Sequence, residues 1–127
     1  MRGLLDTSVF IAREQGRPIA VDRLPEESAV SVVTLAELEL GVHMASEDDV
    51  RAKRLRTLQA VQRTYAALPI DEAVSSAFAE LVASARRSGS RPRIQDAWIA
   101  ATARAHEVPV VTQDRDFADL EVEVISL

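Results

Sequence analysis

The sequence predicts an α/β fold in which a central parallel sheet is covered by helices on both faces. Short apolar runs alternate along the chain with longer runs of helical spacing. The short runs are continuously apolar rather than alternating, which is the pattern of strands buried on both faces. Pro69 marks the third run as an edge strand or a strand end. The predicted strands cover residues 3–5, 29–33, 67–70, 108–112 and 122–127.

Helix boundaries are marked by capping residues. The spacing Thr34-x-x-Glu37 is that of a capping box, and Ser46 repeats this start signal. Asp71 is placed to cap the next helix, which Gly89 ends. The last helix is rich in alanine, which allows close packing against a sheet. The predicted helices cover residues 34–45, 46–65, 71–89 and 94–107, and Asp6 could cap a further helix after the first strand.

Composition favours a single globular domain over residues 1–127 and excludes several classes of protein. The chain is 47% hydrophobic and 28% charged, with a formal net charge of −5. It has no cysteine, which rules out a disulfide scaffold, a thiolate zinc site and a cysteine nucleophile. The longest uncharged stretch, residues 28–36, is too short to cross a membrane, and Asp6 interrupts any signal peptide. We therefore expect a cytoplasmic protein without a membrane partner.

Acidic residues follow the predicted strands. Asp6 comes directly after the first strand, Glu37 lies one helical turn after the second, and Asp114 follows the fourth with Asp116 close by. Asp96 lies in the first turn of the last helix. Each acid alone has a structural interpretation as a cap, a turn residue or a partner of the helix dipole. Carboxylates gathered at one rim are costly unless a cation binds them, and oxygen ligands select Mg²⁺ or Mn²⁺.

Four segments together resemble the PIN-domain ribonucleases, and more narrowly the VapC-type toxins of bacterial toxin–antitoxin pairs. They are residues 4–9 (LLDTSV), 30–38 (VSVVTLAEL, with Gly41 beyond), 96–103 (DAWIAATA) and 111–117 (VTQDRDF). The resemblance covers essentially the whole chain, with the segments in the family's order. It implies a PIN-like parallel sheet of strand order 3-2-1-4-5, in which the order of the strands reverses between strands one and four. That reversal is where open parallel sheets bind ligands.

The resemblance also implies the site residues. Asp6, Glu37, Asp96 and Asp114 match the family's acidic quartet, and we expect them to be both catalytic and metal-binding. Asp6 and Asp96 would be the primary ligands of Mg²⁺, with Mn²⁺ as a possible substitute. Glu37 and Asp114 would be further ligands or would hold water on the metal. One departure is Gln95, which stands where many members have asparagine. The supporting residues are Thr112, Asp116 and Ser8.

The expected activity is Mg²⁺-dependent endoribonuclease cleavage by metal-activated water, which leaves a 5′-phosphate and a 3′-hydroxyl. Neither histidine suggests metal-free catalysis, since His43 and His106 have the positions of surface or capping residues. One basic group could hold RNA phosphates because it leads into the acidic site: Arg86, Arg87, Arg91 and Arg93. A second group reads more simply as a solvated helix face: Arg51, Lys53, Arg54 and Arg56. The identity of the RNA stays open.

Such a nuclease would need restraint by a partner. We expect a small VapB-like antitoxin that lays an apolar segment between the helices starting at Thr34 and Ser46. Its arginine would lie among the four acids, because a guanidinium suits carboxylates. A homodimer is expected from the resemblance alone. The alternative is a PIN-like binding module that forms antitoxin complexes with weak or no catalysis.

Two other acidic α/β sites fit the sequence poorly. A phosphoacceptor receiver domain needs paired acids after the first strand and a late lysine, whereas Lys53 is the only lysine. A haloacid-type phosphatase needs a second acid two residues after Asp6, where Ser8 stands.

Overall fold

Five parallel strands form one sheet in the computed structural model, which describes residues 2–127. The strand order is 3-2-1-4-5, as the family resemblance implies. Because every neighbouring pair is parallel, the carboxyl ends of all the strands meet at one edge. The strands are β1 (Arg2–Leu5), β2 (Glu27–Ser31), β3 (Ala66–Leu68), β4 (Val110–Thr112) and β5 (Val124–Ser126).

Helices connect the strands in the predicted alternation. The prolines explain two strand boundaries, because β4 begins after Pro109 and β3 ends before Pro69, and proline has no N–H for a ladder. β3 lies at an edge of the sheet, in line with its Pro69. The helices are α1 (Thr7–Glu14), α2 (Val32–Met44), α3 (Asp48–Thr64), α4 (Glu72–Arg87) and α5 (Ile94–Ala105).

Two of the predicted helix starts are wrong. The N-cap of α2 is Ser31, whose Oγ accepts a hydrogen bond from Val33 N at 3.0 Å. Thr34 is therefore inside the helix, and its capping box with Glu37 does not form. The N-cap position of α3 is Glu47, which makes no side-chain cap, so Ser46 does not begin that helix. The prediction at the start of α4 is confirmed.

The start and end of α4 follow the sequence signals. Asp71 Oδ1 accepts from Val74 N at 3.0 Å, which satisfies one of the free amides of the first turn. Beyond the helix, Gly89 adopts a positive φ of 83°. A residue with a Cβ is strained in that conformation, which explains why glycine ends this helix.

The central strands β1 and β4 are buried on both faces, as continuous apolar strands predict, whereas the edge strands β3 and β5 are largely exposed. Leu4 and Val110 pack towards α4 and α5, with Ile99 and Phe117. The adjacent strand residues, Leu5 and Val111, point to the opposite face and pack with α1, α2 and α3. Among residues 2–127, no helix has the length and apolar character needed to cross a bilayer. The ends of the strands are thus the part of the sheet that is open to a ligand.

The basic residues of α3 have a structural role. Arg54 Nη1 donates to the carbonyl of Gly41 at 2.7 Å, and Arg51 Nη2 donates to the carbonyl of Ala45 at 2.6 Å. Both carbonyls lie at the C-terminal end of α2, where helix carbonyls lack intrahelical partners. These arginines therefore join α3 to the end of α2. Their hydrogen bonds explain part of the charge run by structure rather than by RNA binding.

Candidate active site

An acidic pocket opens at the carboxyl ends of β1, β2 and β4. It has a volume of about 200 Å³, and all four predicted acids line it. Asp6 follows β1, Glu37 lies on α2, Asp96 lies in the first turn of α5, and Asp114 follows β4. The crossover topology thus brings together residues separated by up to 108 positions in the chain. The pocket includes the point where the strand order reverses, between β1 and β4.

Asp6 is held rigidly by hydroxyl groups. Ser8 Oγ donates to Asp6 Oδ2 at 2.8 Å, and Thr112 Oγ1 donates to the same oxygen at 2.9 Å. The backbone N–H of Asp6 donates to the carbonyl of Val111 at 2.9 Å. Asp6 occupies the N-cap position of α1 but makes no side-chain cap, so the capping interpretation is wrong. Only 3% of the residue is exposed, and no residue among 2–127 donates to its Oδ1.

The two hydroxyls that hold Asp6 are themselves fixed. Ser8 Oγ accepts from Gln113 N at 3.0 Å, and Thr112 Oγ1 accepts from Asp114 N at 2.9 Å. Ser8 and Thr112 also lie 3.1 Å apart, oxygen to oxygen. The loop after β4 is thereby tied to the start of α1. This network places the supporting residues Ser8 and Thr112 beside Asp6.

Glu37 is held by a threonine from another element. Thr7 Oγ1 donates to Glu37 Oε1 at 2.7 Å and lies 3.1 Å from the buried Thr34 Oγ1. Partial burial raises the pKa of Glu37 above its usual range, the Thr7 hydrogen bond opposes that rise, and the charge of Asp6 adds to it. Thr7 and Thr34 were missed as site residues, because their contacts join α1 and α2 over about 30 positions. No local sequence pattern signals such a contact.

Asp96 has the most unfavourable environment of the four acids. It is 6% exposed, and its Oδ2 is buried without a hydrogen-bond partner among residues 2–127. Burial raises the pKa of Asp96 to about 6, and the negative charge of Asp6 contributes to the rise. A buried carboxylate oxygen without a donor is rare, since leaving it unpaired costs free energy. Asp96 therefore has an oxygen available for a cation.

The outer wall of the pocket carries both negatively and positively charged side chains. Asp114 is exposed, and partial burial together with Asp6 raises its pKa. Arg93 and Arg17 line the same pocket, and Arg93 lies 3.8 Å from Asp116. Of the predicted RNA-binding group, Arg93 is thus placed at the acids. Arg86, Arg87 and Arg91 are exposed and do not line the pocket.

The residues present fit a hard divalent cation such as Mg²⁺. The donors are carboxylate oxygens, since Asp96 lines the same pocket as Asp6 and its buried Oδ2 has no hydrogen-bond partner among residues 2–127. Within residues 2–127, no three His, Asp or Glu side chains are arranged to hold an ion by themselves. Mg²⁺ commonly uses one or two carboxylates and keeps several waters, so two acids are enough. Asp6 and Asp96 are the two best suited by burial.

The histidines and the tryptophan lie away from this pocket. His43 is exposed and lies 3.3 Å from Glu39 on the same helix, and His106 occupies the C-cap position of α5. Trp98 stacks on Phe78 with ring centroids 3.7 Å apart and packs against the core, as its apolar surroundings predict. None of these residues lines the acidic pocket.

Comparisons with known proteins agree with this fold. The PIN domain family model matches residues 3–123. Ribonuclease VapC4 of Mycobacterium tuberculosis is 51% identical over 99% of this chain and 97% of its own length. Ribonuclease VapC5 of the same organism is 47% identical, covering 97% of this chain and 93% of the relative. A crystal structure of VapBC-5 from M. tuberculosis, a member of the VapBC family of toxin–antitoxin systems, aligns with a TM-score of 0.91 and 44% identity, covering 99% of this chain and 98% of that one.

Proposed function

We propose a function from the premise that this chain belongs to the PIN-domain family, and within it to the VapC ribonucleases. It is the toxin of a toxin–antitoxin pair, an endoribonuclease that hydrolyses RNA phosphodiesters in the cytoplasm with Mg²⁺ as its cofactor. The observation that carries this proposal is the pair of buried carboxylates in one pocket. Asp6 is fixed by two hydroxyls, and Asp96 keeps an oxygen without a partner.

The chain's own residues would position the metal and the water. When bound, Mg²⁺ neutralises charge on the phosphate and makes water a better nucleophile. Asp6 would offer Oδ1 because both hydroxyls use Oδ2, and Asp96 would offer its unpaired Oδ2. Glu37 and Asp114 have raised pKa values on the same pocket wall, which suits them to orient the attacking water and accept its proton. Mn²⁺ would substitute, because it accepts the same oxygen ligands.

Sequencing of RNA ends tests the activity. Total bacterial RNA is incubated with the wild-type protein, with Asp6→Asn and with Asp119→Asn, an exposed acid outside the pocket. We expect new 5′-phosphate ends with the wild type and Asp119→Asn, and none with Asp6→Asn. If all three proteins give the same ends, the acidic pocket is not the active site. If none cleaves RNA, the binding-module alternative replaces the nuclease.

Metal removal tests the cofactor separately. Cleavage should stop in EDTA and return with Mg²⁺ or Mn²⁺, but not with Ca²⁺, whose larger and looser shell positions water poorly. Undiminished cleavage in EDTA would exclude the metal mechanism while leaving the nuclease assignment in place.

We further propose a small antitoxin as the partner, on the basis of an apolar groove that joins the acidic pocket. The groove runs between α1 and α2, with Arg54 of α3 at its side. Ile11 and Glu37 line both the groove and the acidic pocket, so one extended segment would occupy both. An apolar stretch would fill the groove, and a following arginine would reach the carboxylates. The sequence alone placed this segment between α2 and α3, whereas the groove that shares lining residues with the acidic pocket lies between α1 and α2.

Copurification with the product of the adjacent reading frame tests this partner. Alanine substitution of the partner's C-terminal arginines should leave the complex weaker and the nuclease active. Full inhibition by the alanine variant would mean that the acidic site is not occupied directly. The homodimer that the family resemblance implies is tested on the isolated chain by light scattering.

A further inference from the structure

Two arginines from different segments of the chain line the acidic pocket beside the carboxylates. Arg93 occupies the N-cap position of α5, three residues before Asp96. Arg17 lies just beyond the end of α1, and it also lines the pocket. The positive charge of each opposes the rise in the pKa of Asp114. A pocket that binds only a cation has no use for two guanidinium groups on its wall, because they repel the cation.

The backbone on both sides of Arg17 is fixed. Arg17 N donates to the carbonyl of Ala12 at 2.8 Å, and Gly16 N donates to that of Arg13 at 3.1 Å. Gly16 has a φ of 71°, so this is the Schellman turn that ends helices at a glycine. The next residue, Pro18, accepts a hydrogen bond from Gln113 Nε2 at 3.2 Å. Gln113 immediately precedes Asp114, so the two loops that carry Arg17 and Asp114 are tied together.

The Arg17 side chain makes no ion pair with any residue among 2–127. It is exposed, and no carboxylate among residues 2–127 lies within 4.0 Å of it. Within the described residues, Arg93 makes one ion pair, the long contact to Asp116 at 3.8 Å, between two side chains that are about half exposed. A surface pair of that length contributes little to stability. Both guanidinium groups are therefore available to an anion from solution.

We propose that Arg17 and Arg93 bind backbone phosphates of the RNA on either side of the scissile bond. Arginine binds phosphate through two parallel hydrogen bonds, which fixes the strand in direction as well as in position. Two such contacts would hold the strand across the carboxylates, where the phosphate between them would otherwise be repelled. Arg17 carried no signal in the sequence, because it follows a helix end and lies outside both basic clusters. This inference rests on the proposed nuclease function and assigns its substrate-binding residues.

Salt dependence of RNA binding tests the two contacts directly. Each protein carries Asp6→Asn to remove cleavage, and total bacterial transfer RNA in Mg²⁺ buffer is the probe. Arg17→Ala and Arg93→Ala should each lower the slope of log affinity against log salt by about 1, because one phosphate contact is lost. The matched control is Arg13→Ala, which removes the same charge four residues earlier, from an exposed site outside the pocket. Arg13→Ala should leave the slope unchanged. Arg17→Lys keeps the positive charge and should retain most of the wild-type slope.

Kinetics on the cleaved RNA complete the test. In the otherwise wild-type protein, Arg17→Ala should raise KM about tenfold and change kcat much less, as expected for a charge-assisted contact to bound substrate. Equal slopes and equal KM values for Arg17→Ala and Arg13→Ala would overturn the proposal and leave Arg17 as a counter-charge for Asp114. Absence of RNA binding by the Asp6→Asn background protein would also overturn it. Failure of the wild type to cleave any RNA would instead overturn the proposed function, since binding is measured independently.

Discussion

The two sides of the acidic pocket treat a buried carboxylate in opposite ways. On the β1–β4 side, Asp6 receives two hydroxyl hydrogen bonds, and both hydroxyls are held by backbone amides of the next loop. On the α5 side, Asp96 is similarly buried, yet no hydroxyl of residues 2–127 holds it, and its Oδ2 is fully buried without a hydrogen-bond partner. The first side fixes the position of the Asp6 carboxylate. The second keeps the Asp96 carboxylate in a buried site where its negative charge is unfavourable until a cation binds. Carboxylates of the same type can thus have separate tasks because the elements beneath them differ.

The largest expected effect is on the cleavage rate, which should depend on the acids of both sides. Asp6→Asn and Asp96→Asn should each lower the cleavage rate by about three orders of magnitude, since metal stabilisation of a transition state contributes several kcal/mol. The check is single-turnover cleavage of the mapped RNA, with Asp119→Asn as the control. A rate within tenfold of the wild type in either variant would remove that acid from the catalytic set.

The pH dependence of the free energy of unfolding should distinguish the Asp96 side of the pocket from the Asp6 side. The pKa of Asp96 in the folded protein is about 6, above its usual value of 3.8, so the folded state binds more protons between these two pH values. The metal-free protein is therefore most stable below about pH 4 with respect to this group, and it loses stability as pH rises to 6. The loss is at most about 3 kcal/mol, because one pKa unit corresponds to about 1.4 kcal/mol. The raised pKa values of Glu37 and Asp114 act in the same direction.

Thermal unfolding without metal between pH 4 and 7 measures that loss. Asp96→Asn should flatten the pH dependence and unfold at a higher temperature than the wild type at pH 7. Asp6→Asn should be stabilised less, because it weakens two hydrogen bonds to a charged acceptor while it relieves the repulsion of Asp96. If both variants are stabilised equally, the difference between the two sides of the pocket does not exist.

Substitution of Thr112 would remove one of the two hydroxyl hydrogen bonds that position Asp6. The Thr112 hydroxyl is fully buried, donates to Asp6 and accepts from Asp114 N. Thr112→Val should cost about 1–3 kcal/mol of stability, because it leaves the Asp114 amide unpaired. Cleavage should fall about 10- to 100-fold, as when an outer partner of a metal ligand is lost. Thr112→Ser keeps the hydroxyl and is the control; an equal loss of cleavage in Thr112→Ser would mean that packing, not the hydrogen bond, matters.

The difference between the two sides also separates what sequence could predict from what it could not. The apolar strand runs and the acids that follow them depend on local pattern and parallel topology, so the fold and the gathering of the four acids were predictable. The partner of Glu37 was predicted wrongly, because the capping-box spacing favours Thr34 while the structure pairs Glu37 with Thr7. Arg17 gave no signal, because its position depends on the turn at Gly16 and the Gln113 hydrogen bond. Local rules missed contacts that exist only after the elements pack.

The smallest expected effect concerns Thr7, which holds the third acid from across α1. Its hydrogen bond to Glu37 lowers the pKa of that carboxyl against the effect of burial. Thr7→Val should therefore raise the pKa of Glu37 further, so that the carboxylate is protonated at a higher pH than in the wild type. The acid limb of the pH profile of kcat should move to higher pH, and the rate on that limb should fall about threefold to tenfold, the effect expected of one such hydrogen bond. Thr7→Ser preserves the donor and should keep the wild-type profile. An unshifted acid limb in Thr7→Val would mean that Glu37 does not exchange a proton in the reaction, and its role would then be to orient the water alone.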